Sequence, residues 1–170
     1  MIETEEILEF LNSNSIPYEI YRHERCDTAE EKRELDRKLG INARHCKNIF
    51  LTNRRKDRFY HLIMPFEKTF RTAEVSKQLN SSRLSFAPDD MLLEKLHCRS
   101  GSLSALCLMY DKNGEIGLAI DAELLSEKAL CFHPADDLVT VIIDTEVCLS
   151  TLFPKLHHKP TFVTVTMPTA

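Results

Sequence analysis

Apolar positions recur along this chain with two periods, and each change of period marks a change of element. Ile7, Leu8, Phe10 and Leu11 follow Thr4 at helical spacing, with Glu5 and Glu6 in the first turn where the helix dipole favours anions. They predict an amphipathic helix over residues 4–14. The stretch from Asn12 to Pro17 ends it, and residues 18–21 alternate as a short strand. Thr28 ahead of Glu30 and Glu31 has the composition of an N-cap with an acidic first turn. It opens a charged helix through Leu39 that Gly40 closes. Residues 45–52 make an apolar, β-prone run that reads as a buried strand; a polar turn over 53–57 joins it to a hairpin partner over 59–64, ended by Pro65. Residues 72–79 read as a short helix, Arg83-Leu84-Ser85-Phe86 as a strand or extended link, and residues 88–96 as a helix with Pro88 near its first turn. Strands over 103–110 and 115–120 are predicted to form a second hairpin through Asp111-Lys112-Asn113-Gly114. Residues 122–128 look helical, 138–143 a strand and 145–153 a closing helix, and the β-branched tail 161–166 reads as an edge strand or a loose end. Helices mixed with hairpins, without regular strand–helix alternation, repeat or low-complexity linker, argue for α+β architecture. The expectation is a single domain over residues 1–170, a mixed β-sheet with flanking helices.

Against this pattern, one polar pair stands out. Lys47 and Asn48 sit at the mouth of the apolar strand, where an ammonium must stay in water, find an anion or lie at the lip of a pocket, because burying it unpaired costs several kcal/mol. The same position also suits a lysine that snorkels along the sheet edge. A second polar feature, Phe132-His133-Pro134, precedes the strand over 138–143; Pro134 pushes His133 out of helical geometry, so that its imidazole projects from a loop. At Gly101-Ser102 a glycine lets backbone N–H groups approach a ligand, or forms a plain loop.

Composition narrows the setting. At 170 residues and 43% hydrophobic content, one domain with a real core is expected. No apolar segment approaches the roughly 20 residues that span a bilayer. The acidic start Met1-Ile2-Glu3-Thr4-Glu5-Glu6 is unlike a signal peptide, so a cytoplasmic protein is expected. The cysteines at 26, 46, 98, 107, 131 and 148 show no Cys-x-x-Cys spacing and read as reduced thiols; no metal or organic cofactor is indicated. Charge is uneven: residues 20–83 carry 16 Lys/Arg against 9 Asp/Glu, and the remainder 6 against 17. The basic half holds Lys47, and its hairpin tip, Arg54-Arg55-Lys56 with Arg58, suits either solvent or the phosphates of an RNA end. No helix-turn-helix, finger or basic-aromatic ribbon marks a DNA-binding chain.

Four motifs in order resemble the YbaK/ProX family, the prolyl-tRNA synthetase-associated editing domain. Lys47-Asn48-Ile49-Phe50-Leu51 is similar to its Lys-Asn-Leu-Phe-Leu strand and Arg83-Leu84-Ser85-Phe86 to its Arg/Lys-Leu-Ser-Phe segment. Gly101-Ser102-Leu103-Ser104 is similar to its Gly-Ser-Val/Leu-Thr/Ser turn, and Phe132-His133-Pro134 to its Phe-His-Pro motif. The resemblance spans residues 5–155 and implies the same α+β fold. It implies trans-editing: hydrolysis of the aminoacyl ester of mischarged tRNA(Pro), alanyl-tRNA(Pro) first. A cysteinyl-tRNA(Pro) deacylase and a non-catalytic tRNA- or synthetase-binding module of the same fold are the alternatives. Such an ester is already reactive, so hydrolysis needs a positioned water, oxyanion stabilisation and a selective pocket more than a strong nucleophile. The resemblance further implies that the substrate's free 2′-hydroxyl helps activate the water.

Residue by residue, the resemblance makes Lys47 the critical polar group, binding the terminal nucleotide or the carbonyl region, and His133 a base or ribose partner. Asn48, Gly101 and Ser102 would line the same site, and Ile20, Cys26 and Thr28 the amino-acid pocket. Implied partners are the acceptor end of aminoacyl-tRNA(Pro) and prolyl-tRNA synthetase, with neither DNA nor a membrane. Two segments depart from the family. His-Pro-Pro-Val-Phe/Tyr-Thr is replaced by His23-Glu24-Arg25-Cys26-Asp27-Thr28, which puts Asp27 at an aromatic position. Leu-x-Asn after Phe-His-Pro is replaced by Ala135-Asp136-Asp137.

Overall fold

Two β-sheets meet at the residues that lead into Lys47. The computed structural model describes residues 2–167. Its helices are α1 (Ile2–Ser13), α2 (Ala29–Leu39), α3 (Thr72–Gln78) and α4 (Asp89–Leu96). The strands are β1 (Glu19–Arg22), β2 (Cys46–Thr52), β3 (Phe59–Pro65), β4 (Ser85–Phe86), β5 (Ile116–Asp121), β6 (Ala129–Phe132), β7 (Val139–Asp144) and β8 (Thr161–Val163). A helical run over residues 145–155 passes from α to π at Cys148–Leu152 and back to α at Phe153–Lys155.

The larger sheet has the order β4-β2-β3-β5-β8 and is mixed: β2 pairs antiparallel with β3 and β4, whereas β3–β5 and β5–β8 are parallel. A separate antiparallel sheet, β1-β7-β6, stands beside it. One parallel bridge joins the two, Arg44 with Leu130; the Arg44 N–H donates to the Ala129 carbonyl, and the Cys131 N–H to the Arg44 carbonyl, each at 2.9 Å. This bridge places the site. Lys47 and His133 each lie three residues beyond their bridge partner, and parallel chains with the same rise of about 3.3 Å per residue carry both side chains to one level.

The larger sheet is buried on both faces, which is why β2 reads as a continuous apolar run. Phe50 and Ile63 face the main core with Ile7 and Leu11 of α1 and Leu130, Phe132 and Val141 of the smaller sheet. Ile49, Leu51, Leu62 and Met64 face a second core closed by Val75 of α3 and by Val163 and Val165 of the tail. Helix α2 is set by its ends. The Thr28 hydroxyl accepts from the Glu31 N–H at 3.1 Å, the Glu31 carboxylate accepts from the Thr28 N–H at 3.2 Å, and Gly40 closes the helix in the left-handed region at φ 71°. Among the described residues, no helix is long and apolar enough to cross a membrane.

The second expected hairpin does not form. Residues Ala105–Tyr110 are a 3-10 helix, begun where the Ser104 hydroxyl accepts from the Leu106 N–H at 3.3 Å, and only Ile116–Asp121 is a strand, parallel to β3. The run 105–108 is buried throughout, so it carries no period to separate a strand from a buried helix. The turn signal itself holds: Gly114 donates to the Asp111 carbonyl at 3.0 Å with φ 65°, and the Asp111 carboxylate accepts from the Glu115 and Ile116 N–H groups.

Candidate active site

Lys47 leaves β2 half-buried, and among the described residues it has no carboxylate within ion-pair distance. Its Nζ donates to the Lys68 carbonyl at 2.6 Å and stands 5.9 Å from the centre of the Phe66 ring. An ammonium has three N–H donors, so two remain for a ligand. Asn48 points to the opposite face of β2, where its Oδ1 accepts from Nε2 of His61 on β3 at 2.9 Å. Burial holds the His61 imidazole down to about 3, with nearby His158 acting in the same direction, so the ring is neutral. Its one N–H goes to Asn48, and among the described residues its Nδ1 has no hydrogen-bond partner.

His61 also links the site to stability. An unfolded chain protonates this ring below its ordinary value of 6.5 and the native chain does not until about 3. Stability is therefore complete above pH 6.5 and falls by about 1.4 kcal/mol per pH unit between those values. On going from pH 7.5 to 5.0, His61→Gln, which keeps a donor for Asn48, is expected to lose about 2 kcal/mol less than the wild type. Urea denaturation at the two pH values measures this; equal losses in both proteins would mean that native His61 protonates freely.

His133 enters from the smaller sheet. Its Nδ1 lies 2.7 Å from the Val139 carbonyl, which can only accept, so Nδ1 carries the proton and Nε2 presents a lone pair. Burial lowers its pKa despite that hydrogen bond, with the charge of Lys32 and the neighbouring His23 acting in the same direction, so the ring is neutral at physiological pH. The loop is fixed from two sides: Thr4 of α1 donates to the Pro134 carbonyl at 2.8 Å, and the Ser104 hydroxyl donates to the His133 carbonyl.

These groups border one cleft of about 180 Å³, lined by Arg25, Cys26, Asp27, Lys32, Cys46, Lys47, Asn48, Phe66, Ser100, Gly101, Leu103, His133 and Asp137. Of the expected site residues, Lys47, Asn48, His133, Gly101 and Cys26 meet here. Three others do not line it. Ser102 is buried, closing its own turn by accepting from the Arg99 N–H at 3.3 Å and donating to the Arg99 carbonyl at 3.1 Å. Thr28 is engaged as the cap of α2. Ile20 lies on β1 opposite Val141, 39% exposed. The altered segment shapes the rim, where Arg25 pairs with Asp27 at 2.8 Å and lies 3.7 Å from Asp137, tying residues 25–27 to the loop after His133.

Lys32 and Phe66 are cleft residues that the sequence did not single out. Lys32 sits in a run of charges on α2 where any one looks solvated, and Phe66 follows β3 without a motif. Burial pushes the Cys46 thiol up to about 12 and also raises Cys26, which disfavours the thiolate at both. Among the described residues, no group of three or more His, Cys, Asp or Glu side chains is placed to hold a metal ion. An ammonium that can donate and a neutral imidazole that can accept are the parts of a site that polarises a carbonyl and activates water.

The comparisons with known proteins identify the family. The sequence pattern of the aminoacyl-tRNA editing domain matches residues 23–150, and the chain belongs to this family. The prolyl-tRNA editing protein ProX of Acetoanaerobium sticklandii is 24% identical over 136 residues, covering 80% of this chain and 82% of that protein. Prolyl-tRNA synthetase associated domain-containing protein 1 of Xenopus laevis is 26% identical over 163 residues, covering 94% and 95%. Among solved structures, the hypothetical protein APE2540 has a TM-score of 0.69 at 14% identity, over 92% of this chain and 97% of that one. A structure described as a proposed trans-editing enzyme for prolyl tRNA synthetase has a TM-score of 0.70 at 10% identity, over 96% and 98%. At such identities the structural likeness establishes the fold alone.

Proposed function

We propose that this chain, acting as one deacylase domain, hydrolyses the ester of mischarged tRNA(Pro) in trans, with alanyl-tRNA(Pro) as its preferred substrate. The observation that carries the reading is the convergence of Lys47, Asn48 and a neutral His133 on one small cleft. Lys47 donates to the ester carbonyl as it gains negative charge, or holds the terminal nucleotide beside it, and Asn48 lines the cleft wall from the other face of β2. His133 Nε2 accepts a proton from the attacking water or from the ribose hydroxyl that orients it. The cleft of about 180 Å³ is below the ~300–1,000 Å³ of pockets that enclose drug-sized ligands, which suits a small acyl group. The relatives named for prolyl-tRNA editing and for association with prolyl-tRNA synthetase support tRNA(Pro) as the carrier and the synthetase as a partner.

The test is release of amino acid from alanyl-, cysteinyl- and prolyl-tRNA(Pro) under single-turnover conditions. The reading expects alanine to be released fastest and proline to be retained. Faster cysteine release would move the preference to cysteinyl-tRNA(Pro). Release from none of the three at enzyme excess, with tRNA binding intact, would leave a binding module of the same fold.

A further inference from the structure

Lys32 is a buried lysine on α2, and among the described residues no acid lies within ion-pair distance of its ammonium. It is 8% exposed, the only buried residue of α2. One turn on, at the usual i,i+4 position, the Asp36 carboxylate is bound to His45 Nε2 at 2.6 Å. The Glu31 carboxylate caps the helix start, and Asp27 and Asp137 pair with Arg25. Lys32 therefore has no ion pair among the described residues. Its Nζ stands 4.7 Å from the centre of the Phe66 ring, the ring that Lys47 also approaches. Two ammonium groups thus converge on one aromatic ring inside the cleft, neither with an ion-pair partner among the described residues. A cation at the wall of a cleft with no ion-pair partner is open to an incoming anion.

Resting on the deacylase reading, the identity of the anion follows from the substrate. An alanyl ester carries no anionic group on its acyl side, so the nearest negative charge on the acceptor end is the phosphate 5′ to the terminal adenosine. We propose that Lys32 is a substrate-binding residue that, together with Lys47, holds this terminal phosphate across Phe66 and so registers the ester carbonyl beneath His133. Two lysines act here as point charges with several donors each, which suits a phosphate that changes orientation as the ester reacts.

The experiment compares two minimal esters, 3′-O-alanyl-adenosine and the same ester bearing a 5′-phosphate, in wild type, Lys32→Met and Lys32→Arg. Methionine keeps the packed stem and removes the charge; arginine keeps the charge. Wild type is expected to favour the phosphorylated ester in kcat/KM by roughly tenfold or more, the scale of one charge-assisted contact. In Lys32→Met the ratio should fall several-fold, with Lys47 alone left to hold the phosphate, and Lys32→Arg should restore part of it. A ratio retained in Lys32→Met, or a ratio near one in wild type, overturns the proposal. If wild type hydrolyses neither ester, the deacylase reading is decided on the aminoacyl-tRNAs above, and binding of 5′-AMP against adenosine decides the cation's role. Tighter 5′-AMP binding that Lys32→Met weakens several-fold supports it, and equal binding of the two ligands by wild type overturns it.

Discussion

Exchange of Lys47 for methionine is expected to lower kcat/KM for alanyl-tRNA(Pro) hydrolysis by roughly 10²–10³-fold, the cost of losing one preorganised donor to a developing oxyanion. The structure gives this lysine little other work. Its ammonium spends one N–H on the Lys68 carbonyl at 2.6 Å and has no carboxylate partner among the described residues, so methionine, which keeps the stem, removes no ion pair. Thermal unfolding should therefore change little while turnover collapses. Lys47→Arg should fall between, since a planar fork on a longer stem places its charge differently from a compact ammonium. Single-turnover deacylation with a parallel melting curve measures both. Activity within about threefold of wild type in a folded Lys47→Met protein would put the reacting carbonyl elsewhere than against an oxyanion donor at β2.

The parts of this fold that local chemistry dictates were legible, and the parts that only packing dictates were not. Thr28, Glu31 and Gly40 bound α2 because their side chains or backbone conformations satisfy the helix's own end groups, a matter of a few neighbouring residues. The β2–β3 hairpin follows from the polar turn between two apolar runs. By contrast, Ala105–Leu108 of the 3-10 helix is buried throughout, and such enclosure leaves no periodic trace to separate helix from strand. The smaller sheet depends on pairing β1 with β7 across more than a hundred residues, which no local pattern encodes. The site divides in the same way. Lys47 and His133 betray themselves as polar groups next to strands, whereas Lys32 is distinguished only by what its neighbours do: Asp36 turns to His45, and a helix lysine becomes a buried cation. Arg54, Arg55 and Lys56 remain exposed at the far end of β2, a strand length of roughly 20 Å from Lys47.

Asp121→Asn is expected to destabilise the protein by about 3–5 kcal/mol, because it strips a buried ammonium of its counter-ion. Lys68 is 4% exposed and Asp121 1%; they pair at 2.8 Å, and Lys68 also donates to the Val165 carbonyl at 2.7 Å, which pins the tail against the sheet. Glu123, at 3.3 Å but 43% exposed, is too well solvated to take over the role. The loss should appear as a lower urea midpoint with an unchanged slope, and as a fall in Tm on the order of 10 °C. Removing both charges separates electrostatics from packing. Lys68→Met/Asp121→Leu should recover most of the stability lost in Asp121→Asn, since an apolar pair of similar volume replaces a buried ion pair at little net cost. A loss below about 1 kcal/mol in Asp121→Asn would mean that water reaches the ammonium and the pair is no stronger than a surface one. The two variants also bear on catalysis. The Lys68 carbonyl holds Lys47, so if that backbone is positioned by the Lys68 side chain, Asp121→Asn should raise KM as well as lower Tm, and the double variant should recover stability before it recovers turnover.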